Sequence, residues 1–112
     1  MNDCVFCKIA AKEKKEDILY EDEDIVVFAD NNPRAKTHLL ITPKTHYSDF
    51  SEMMEKEPTL LQKIGNVVEK VIKTSSIKGK GYTWGFHCGG KQSVNHIHAQ
   101  LLAGMKEDEL VL

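Results

Sequence analysis

The residues best suited to chemistry lie near the carboxyl end of the chain, in the segment 95–102. Polar side chains alternate there with apolar ones, and the polar positions are His96, His98 and Gln100. Successive side chains of a strand point to opposite faces, so the pattern predicts a strand with one apolar face and one polar face. Because neutral imidazole is a nucleophile near neutral pH, the segment favours a phosphate-handling site. The alternative is the polar outer face of an edge strand.

A second candidate site begins the chain, where Cys4 and Cys7 form a Cys-x-x-Cys pair. Such a pair chelates zinc when two further ligands complete a tetrahedron. The alternative is two reduced thiols, one of them under the first helix. The third cysteine, Cys88, stands alone, and an odd total argues against a disulfide framework.

Hydrophobic patterning predicts the elements that must position these residues. We expect a short helix within 4–12, a long helix over 58–74, and strands over 18–21, 25–29, 38–42, 82–87 and 95–102. The long helix carries one continuous apolar face, composed of Leu60, Leu61, Ile64, Val67, Val68, Val71 and Ile72. Short hairpin-compatible links predict an α+β fold with about five strands in a mainly antiparallel sheet.

The length of 112 residues predicts one domain, spanning 1–112. Lysine and arginine total 15 against 17 acidic residues, and the net charge of −2 argues against a nucleic-acid-binding surface. The first residues contain no long apolar run, so neither a signal peptide nor a membrane span is predicted. A cytoplasmic protein is the resulting expectation.

Three motifs, in family order along the chain, resemble those of the histidine triad family. They are the Cys-x-x-Cys-Lys-Ile opening at 4–9, the turn and strand FADNNP…THLLITPKTH over 28–46, and QSVNHIHAQLL over 92–102. The chain is similar to the small bacterial-type members of this family, whose signature is His-x-His-x-His. The resemblance implies a nucleotide-binding homodimer in which the two sheets join.

The resemblance also implies an activity, the hydrolysis or transfer of nucleoside monophosphate groups through a covalent nucleotidyl-histidine. It makes His98 the nucleophile. Ser93 and the backbone N–H groups beside it would hold the α-phosphate, and Asp30 would bind the ribose hydroxyls. From the residues alone, Asp30 is equally a simple turn residue. The base would lie against apolar side chains, namely Phe6, Ile9 and Phe28.

Two positions depart from the family pattern. Gln100 replaces the third histidine, and a glutamine amide donates a hydrogen bond but no proton near neutral pH. General acid catalysis typically contributes about 10²–10⁴-fold, so this exchange matters most for poor leaving groups such as amines. His87 stands where the small branch commonly has an asparagine close to the phosphates. His-x-His-x-Gln is similar to the nucleotidyltransferase branch of the family.

The resemblance supplies a full zinc ligand set, because many small members with this opening bind zinc. The corresponding residues are Cys4, Cys7, His46 and His96. Zinc would join the amino-terminal segment to the catalytic segment. The role of His96 would then be structural and positional, not that of an acid or base.

The leading hypothesis is an enzyme that acts on phosphoramidates or nucleotidyl adducts, with a candidate catalytic set of His96, His98 and Gln100. Two rivals remain. The first is a nucleotidyltransferase that uses a phosphorylated acceptor, and the second is a zinc-stabilised nucleotide-binding regulatory protein with negligible turnover. His38 is predicted to be a hydrogen-bonded structural histidine.

Overall fold

Five strands and three helices form within the residues that the computed structural model describes, which are 4–74, 77, 81–89, 92 and 94–104. The helices are α1 (Val5–Ala10), α2 (Phe50–Lys56) and α3 (Thr59–Thr74). The strands are β1 (Ile18–Glu21), β2 (Ile25–Ala29), β3 (Thr37–Pro43), β4 (Tyr82–Gly85) and β5 (Ala99–Ala103). All neighbouring strands are antiparallel, in the order β1-β2-β3-β5-β4. The predicted α+β class is confirmed.

Strand register places Gln100 in the interior of this sheet. It pairs with Leu40 of β3 on one side and with Gly85 of β4 on the other. Next to this row, His38 pairs with Leu102. Paired residues of antiparallel strands share a face, and residues two apart along a strand do so as well. His38, Leu40 and Gln100 therefore lie on one face of the sheet.

The two faces of the sheet carry two separate apolar clusters. The larger cluster joins Ile41, Ala99 and Leu101 to the buried side chains of α3. The smaller cluster, on the face that carries Gln100, is composed of Phe6, Ile9, Val26, Phe28 and Leu40. Helix α1 contributes Phe6 and Ile9 to this second cluster.

Helix α3 buries the face that its sequence predicts. Leu60, Ile64, Val67, Val68 and Ile72 are buried, whereas Leu61 and Val71 lie half-buried at the edge of the stripe. Apolar side chains at helical spacing gain by leaving water together, which explains why this helix could be predicted within one residue of its bounds.

Helix α2 was not predicted. It begins after Asp49, whose carboxylate accepts a hydrogen bond from the backbone N–H of Glu52 at 2.9 Å. The Glu52 carboxylate in turn accepts from the backbone N–H of Ser48 at 2.6 Å. Asp-x-x-Glu is a helix-start pattern, so the signal was present, but this short helix buries only Met53.

Three elements have an end that lies inside the predicted bounds. Helix α1 ends at Ala10 rather than at residue 12, because Lys12 has a φ of 64°. Strand β4 ends at Gly85, and β5 begins at Ala99 instead of Asn95. The last difference moves both histidines of the triad segment off the strand.

No helix among the described residues is both long enough and apolar enough to cross a membrane.

Candidate active site and metal centre

The two histidines of the triad segment are held by bonds outside the sheet. His96 Nε2–H donates to the carbonyl of Pro43 at 2.7 Å, and the backbone N–H of Ile97 donates to the carbonyl of Tyr47 at 2.7 Å. These bonds turn the chain away from β3 before its first ladder pair, Ile41 with Ala99. The prediction that both histidines lie on a strand with Gln100 was therefore wrong.

The alternative prediction, that these residues form the polar outer face of an edge strand, was wrong as well. Strand β5 lies between β3 and β4, and His96, His98 and Gln100 are all buried. Buried polar side chains need specific partners, so the contacts of each residue define its possible chemistry.

His98 has one ring nitrogen committed and one available. Its Nδ1 lies 2.8 Å from the carbonyl oxygen of His96, which assigns the ring proton to Nδ1 and the lone pair to Nε2. Among the described residues, no side chain or carbonyl bonds to that Nε2. Burial lowers the pKa of His98, so the ring is neutral near pH 7. A neutral, oriented imidazole with a free lone pair is equipped to act as a nucleophile.

A cavity of about 240 Å³ opens on the face of the smaller apolar cluster. Phe6, Ile9 and Phe28 line it together with Asp30. The ring of Phe6 meets His98 edge to face, with the ring centres 5.0 Å apart. The four residues that we predicted for base and ribose thus line one cavity, and one of them contacts His98.

Asp30 is both the turn residue and a polar wall of this cavity. Its Oδ1 accepts a hydrogen bond from the backbone N–H of Asn32 at 2.8 Å, as an aspartate-stabilised turn requires. Its Oδ2 lies 3.5 Å from Nε2 of His38. The carboxylate is therefore fixed in place at the end of β2 while it faces the cavity.

Gln100 contacts two further histidines and the chain's single arginine. Its Oε1 lies 2.9 Å from Nε2 of His38 and 3.4 Å from Nη2 of Arg34. Its Nε2 lies 2.8 Å from Nδ1 of His87. His38 is buried and hydrogen-bonded, as predicted.

The prediction missed that His38 and Arg34 contact Gln100. The two contacts span 62 and 66 positions of the chain, and no local sequence pattern predicts contacts over such separations.

The four predicted zinc ligands form one cluster. One ligand atom from each of Cys4, Cys7, His46 and His96 lies within 4.8 Å of all the others. His96 Nδ1 lies 3.2 Å from Cys4 Sγ and 3.4 Å from Cys7 Sγ. His46 Nδ1 lies 3.2 Å from both Cys7 Sγ and His96 Nδ1.

These separations suit a tetrahedral metal ion. Typical zinc bond lengths place ligand atoms about 3.3–3.8 Å apart around the ion. The proton that His96 donates from Nε2 to Pro43 leaves the lone pair of Nδ1 turned to the cluster. Burial lowers the pKa of His96 to about 4, so this ring is a neutral donor at pH 7.

The remaining predicted site residues have different outcomes. His87 contacts Gln100, as described above, whereas Ser93 lies outside the described residues. Cys88 is exposed and is not part of the zinc-ligand cluster.

Comparison with known proteins identifies the family. A sequence profile described as "Scavenger mRNA decapping enzyme C-term binding" matches residues 3–109. A solved histidine triad protein from Clostridium difficile is 37% identical with a TM-score of 0.89, and the match covers 95% of this chain and 94% of that one. The chain belongs to the histidine triad family.

Other members link this histidine triad protein to hydrolases. A histidine triad family hydrolase from Legionella pneumophila is 37% identical with a TM-score of 0.86, over 93% of this chain and 95% of that one. An adenosine 5′-monophosphoramidase of Danio rerio is 33% identical over 89% of this chain and 64% of its own length. Protein HitA of Neisseria gonorrhoeae is 38% identical over 91% of this chain and 96% of its own.

One solved histidine triad relative is described as zinc-bound. It comes from Mycobacterium smegmatis, is 26% identical with a TM-score of 0.79, and the match covers 98% of this chain and 81% of that one.

Proposed function

We propose that this histidine triad protein acts at the α-phosphorus of nucleoside monophosphate derivatives, phosphoramidates or nucleotidyl adducts, through a covalent intermediate on His98. One observation carries the proposal. His98 has an Nε2 lone pair that no described residue uses, and its ring contacts Phe6, which lines a cavity together with Phe28 and the carboxylate of Asp30. Such a cavity has the apolar and acceptor groups that suit a base and a ribose, and the lone pair of His98 would attack the phosphorus of a nucleotide bound there.

The reaction divides into two displacements. In the first, the Nε2 lone pair of His98 forms a bond to phosphorus while the bond to the leaving group breaks. In the second, water or another acceptor attacks the same phosphorus and releases the histidine. As His98 gains positive charge, its Nδ1–H bond to the His96 carbonyl strengthens and stabilises that charge. Ser93 and the backbone N–H groups around it would hold the phosphate oxygens.

The nucleoside would occupy the cavity beside His98. Its base would pack against Phe6, Ile9 and Phe28, and its ribose hydroxyls would donate to the carboxylate of Asp30. One carboxylate oxygen is already used by the turn, so the position of Asp30 does not depend on the ligand. A preformed acceptor of this kind avoids the cost of ordering it during binding.

Zinc is the metal that suits the cluster of Cys4, Cys7, His46 and His96. Two thiolates and two neutral imidazoles are the donors of a closed structural zinc site, and zinc would supply a cross-link there. Cys4 and Cys7 belong to the start of α1, and His96 lies two residues before His98. The cluster would thus fix the helix that carries Phe6 against the segment that carries His98.

A homodimer is the expected assembly. Strand β4 lies at one edge of the sheet, where Tyr82 is 39% exposed and Trp84 is half-buried. An unpaired edge strand is a template for a second copy. Light scattering should give twice the chain mass for the protein, and a smaller mass for Tyr82→Lys. A monomeric mass for the unaltered protein would contradict the dimer.

A nucleotidyltransferase is the second candidate, and Gln100 favours it. The amide of Gln100 supplies no proton to a departing amine, whereas a phosphorylated leaving group needs none. Offering the nucleotidylated protein water, amines and phosphorylated sugars distinguishes the two. Discharge by phosphorylated acceptors alone would replace the hydrolase proposal with the transferase.

The test of the proposed function is turnover of adenosine 5′-phosphoramidates and adenosine 5′-phosphate esters, with adenosine monophosphate affinity measured in parallel. We expect His98→Ala to lose at least about 10³-fold in turnover and to retain nucleotide binding. The matched control is Cys88→Ala, an exposed residue of the same chain, which should behave as the unaltered protein. Nucleotide affinity without product above background would favour the regulatory alternative.

A further inference from the structure

A line of three hydrogen bonds crosses the sheet from β3 to the segment after β4. The backbone N–H of Arg34 donates to Nδ1 of His38 at 3.1 Å. Nε2 of His38 then lies 2.9 Å from Oε1 of Gln100, and the amide nitrogen of Gln100 lies 2.8 Å from Nδ1 of His87. We call these three side chains, His38, Gln100 and His87, the relay.

The first bond fixes the direction of all the others. A backbone N–H is always a donor, so Nδ1 of His38 accepts and its ring proton lies on Nε2. That proton requires an acceptor, which is Oε1 of Gln100. The amide of Gln100 then presents its N–H to His87, whose Nδ1 accepts. The ring proton of His87 is therefore on Nε2.

Two neighbours support this direction. Nη2 of Arg34 is also a donor, and it lies 3.4 Å from the same Oε1 of Gln100. Oδ2 of Asp30 lies 3.5 Å from Nε2 of His38, which agrees with a proton on that nitrogen. Reversing the amide of Gln100 would place its NH₂ group against two donors, and a buried amide does not retain such contacts.

The relay ends close to the candidate nucleophile. Gln100 follows His98 by two residues. His87 is half-buried rather than enclosed. Among the described residues nothing bonds to Nε2 of His87, so this fixed N–H group remains available beside Gln100.

We propose that His87 is a further catalytic residue, whose Nε2–H donates a hydrogen bond to the leaving group. None of the three side chains of the relay gives up a proton in this step. His38 and Gln100 are positioning residues that hold the tautomer of His87. This inference rests on the proposed function and specifies its substrate class. The site favours nucleotidyl adducts whose leaving oxygen departs as a weakly basic anion, over phosphoramidates of basic amines.

In the first displacement, one bond to phosphorus forms and one breaks. The lone pair of His98 Nε2 forms the nitrogen–phosphorus bond, and the electron pair of the broken phosphorus–oxygen bond stays with the leaving oxygen. His87 stabilises that oxygen by a hydrogen bond and keeps its own proton. A departing amine would need a proton in the same step, which neither the amide of Gln100 nor a His87 ring that keeps its single proton on Nε2 provides.

The activity test uses adenosine 5′-phosphate esters of phenols of graded acidity. A hydrogen bond to a charged oxygen contributes more as charge develops, so His87→Ala should lose about tenfold or more with the most basic phenol and little with the most acidic one. His87→Asn, which keeps an N–H donor, should recover part of the loss. The matched control Cys88→Ala should follow the unaltered protein. An equal loss across the series, or no loss, would overturn the role of His87.

A second measurement does not depend on turnover. Nitrogen-15 spectra of the histidines of the purified full chain report which ring nitrogen carries the proton, and His87→Ala assigns the signals. We expect Nε2–H for both His38 and His87 at neutral pH, and a mixture of tautomers for His87 in Gln100→Leu or, should that variant not fold, Gln100→Met. Nδ1–H at His87 in the unaltered protein would overturn the relay. Absence of any turnover, with these tautomers observed, would instead count against the proposed function alone.

Discussion

At the scale of single residues, the site depends on which ring nitrogens are already used. In His98, Nδ1–H donates to the carbonyl of His96 and the lone pair is on Nε2. In His96, Nε2–H donates to the carbonyl of Pro43 and the lone pair is on Nδ1. Two histidines of the same segment therefore present opposite nitrogens. Nδ1 of His96 faces the two cysteines, and Nε2 of His98 has no partner among the described residues. Residue types alone predict neither choice, because each depends on a carbonyl that only the fold brings near.

Asp30 provides a prediction at this scale. A hydrogen bond to a charged group contributes about 1.5–3 kcal/mol, so Asp30→Ala should weaken adenosine monophosphate binding by about tenfold or more. The 2′-deoxy and 3′-deoxy analogues, measured by calorimetry, identify the reason. At least one of them should bind the unaltered protein more weakly than the parent nucleotide does, and that difference should vanish in Asp30→Ala. If neither hydroxyl matters to the unaltered protein, Asp30 is only the turn residue.

At the scale of elements, the helical spacing of apolar residues gave the most accurate prediction. It predicted α3 nearly to its ends, because burial of an apolar face dominates that helix. Apolar patterning failed at residues 95–98, where side-chain and backbone bonds to Pro43 and Tyr47 replace ladder bonds. It also failed at α2, whose start depends on the cap of Asp49 and not on an apolar stripe.

The cap of α2 is open to a direct test. Asp49→Ala removes the acceptor for the Glu52 N–H and should lower the free energy of unfolding by about 0.5–2 kcal/mol in urea titrations. Asp49→Asn keeps an oxygen at this position and serves as the matched control, with an expected change of a few tenths of a kcal/mol. Equal stability of Asp49→Ala and the unaltered protein would show that the cap contributes nothing.

At the scale of the whole molecule, segments far apart in sequence meet at one place. Cys4 lies 92 positions from His96, and His46 lies 50 positions from it, yet their ligand atoms are 3.2 Å from His96 Nδ1. The family resemblance predicted this set, whereas the Cys-x-x-Cys pair alone left two ligands open. The relay from His38 to His87 was not predicted from the sequence, and the side-chain hydrogen bonds of the folded chain reveal it.

Removal of zinc should destabilise the whole molecule. An ion bound only by the folded chain, present at 100 times its Kd, contributes about 2.7 kcal/mol. For a chain of this size that corresponds to roughly 10 °C in Tm. We expect a chelator to lower Tm by this order, and the double variant Cys4→Ser with Cys7→Ser to show no chelator effect.

The matched control for zinc is Cys88→Ser, which removes the exposed cysteine outside the cluster. It should keep one zinc per chain by elemental analysis and respond to the chelator as the unaltered protein does. One zinc per chain in the double variant would contradict the proposed ligands.

The most direct test of the central claim is capture of the covalent intermediate. The purified chain is mixed with an adenosine 5′-phosphate ester of an acidic phenol, stopped within one turnover in alkaline denaturant, and measured by intact mass and peptide mapping. The account predicts an added adenosine monophosphate group on His98, absent from His98→Ala. Turnover without such an adduct, or with the adduct on another residue, would contradict it.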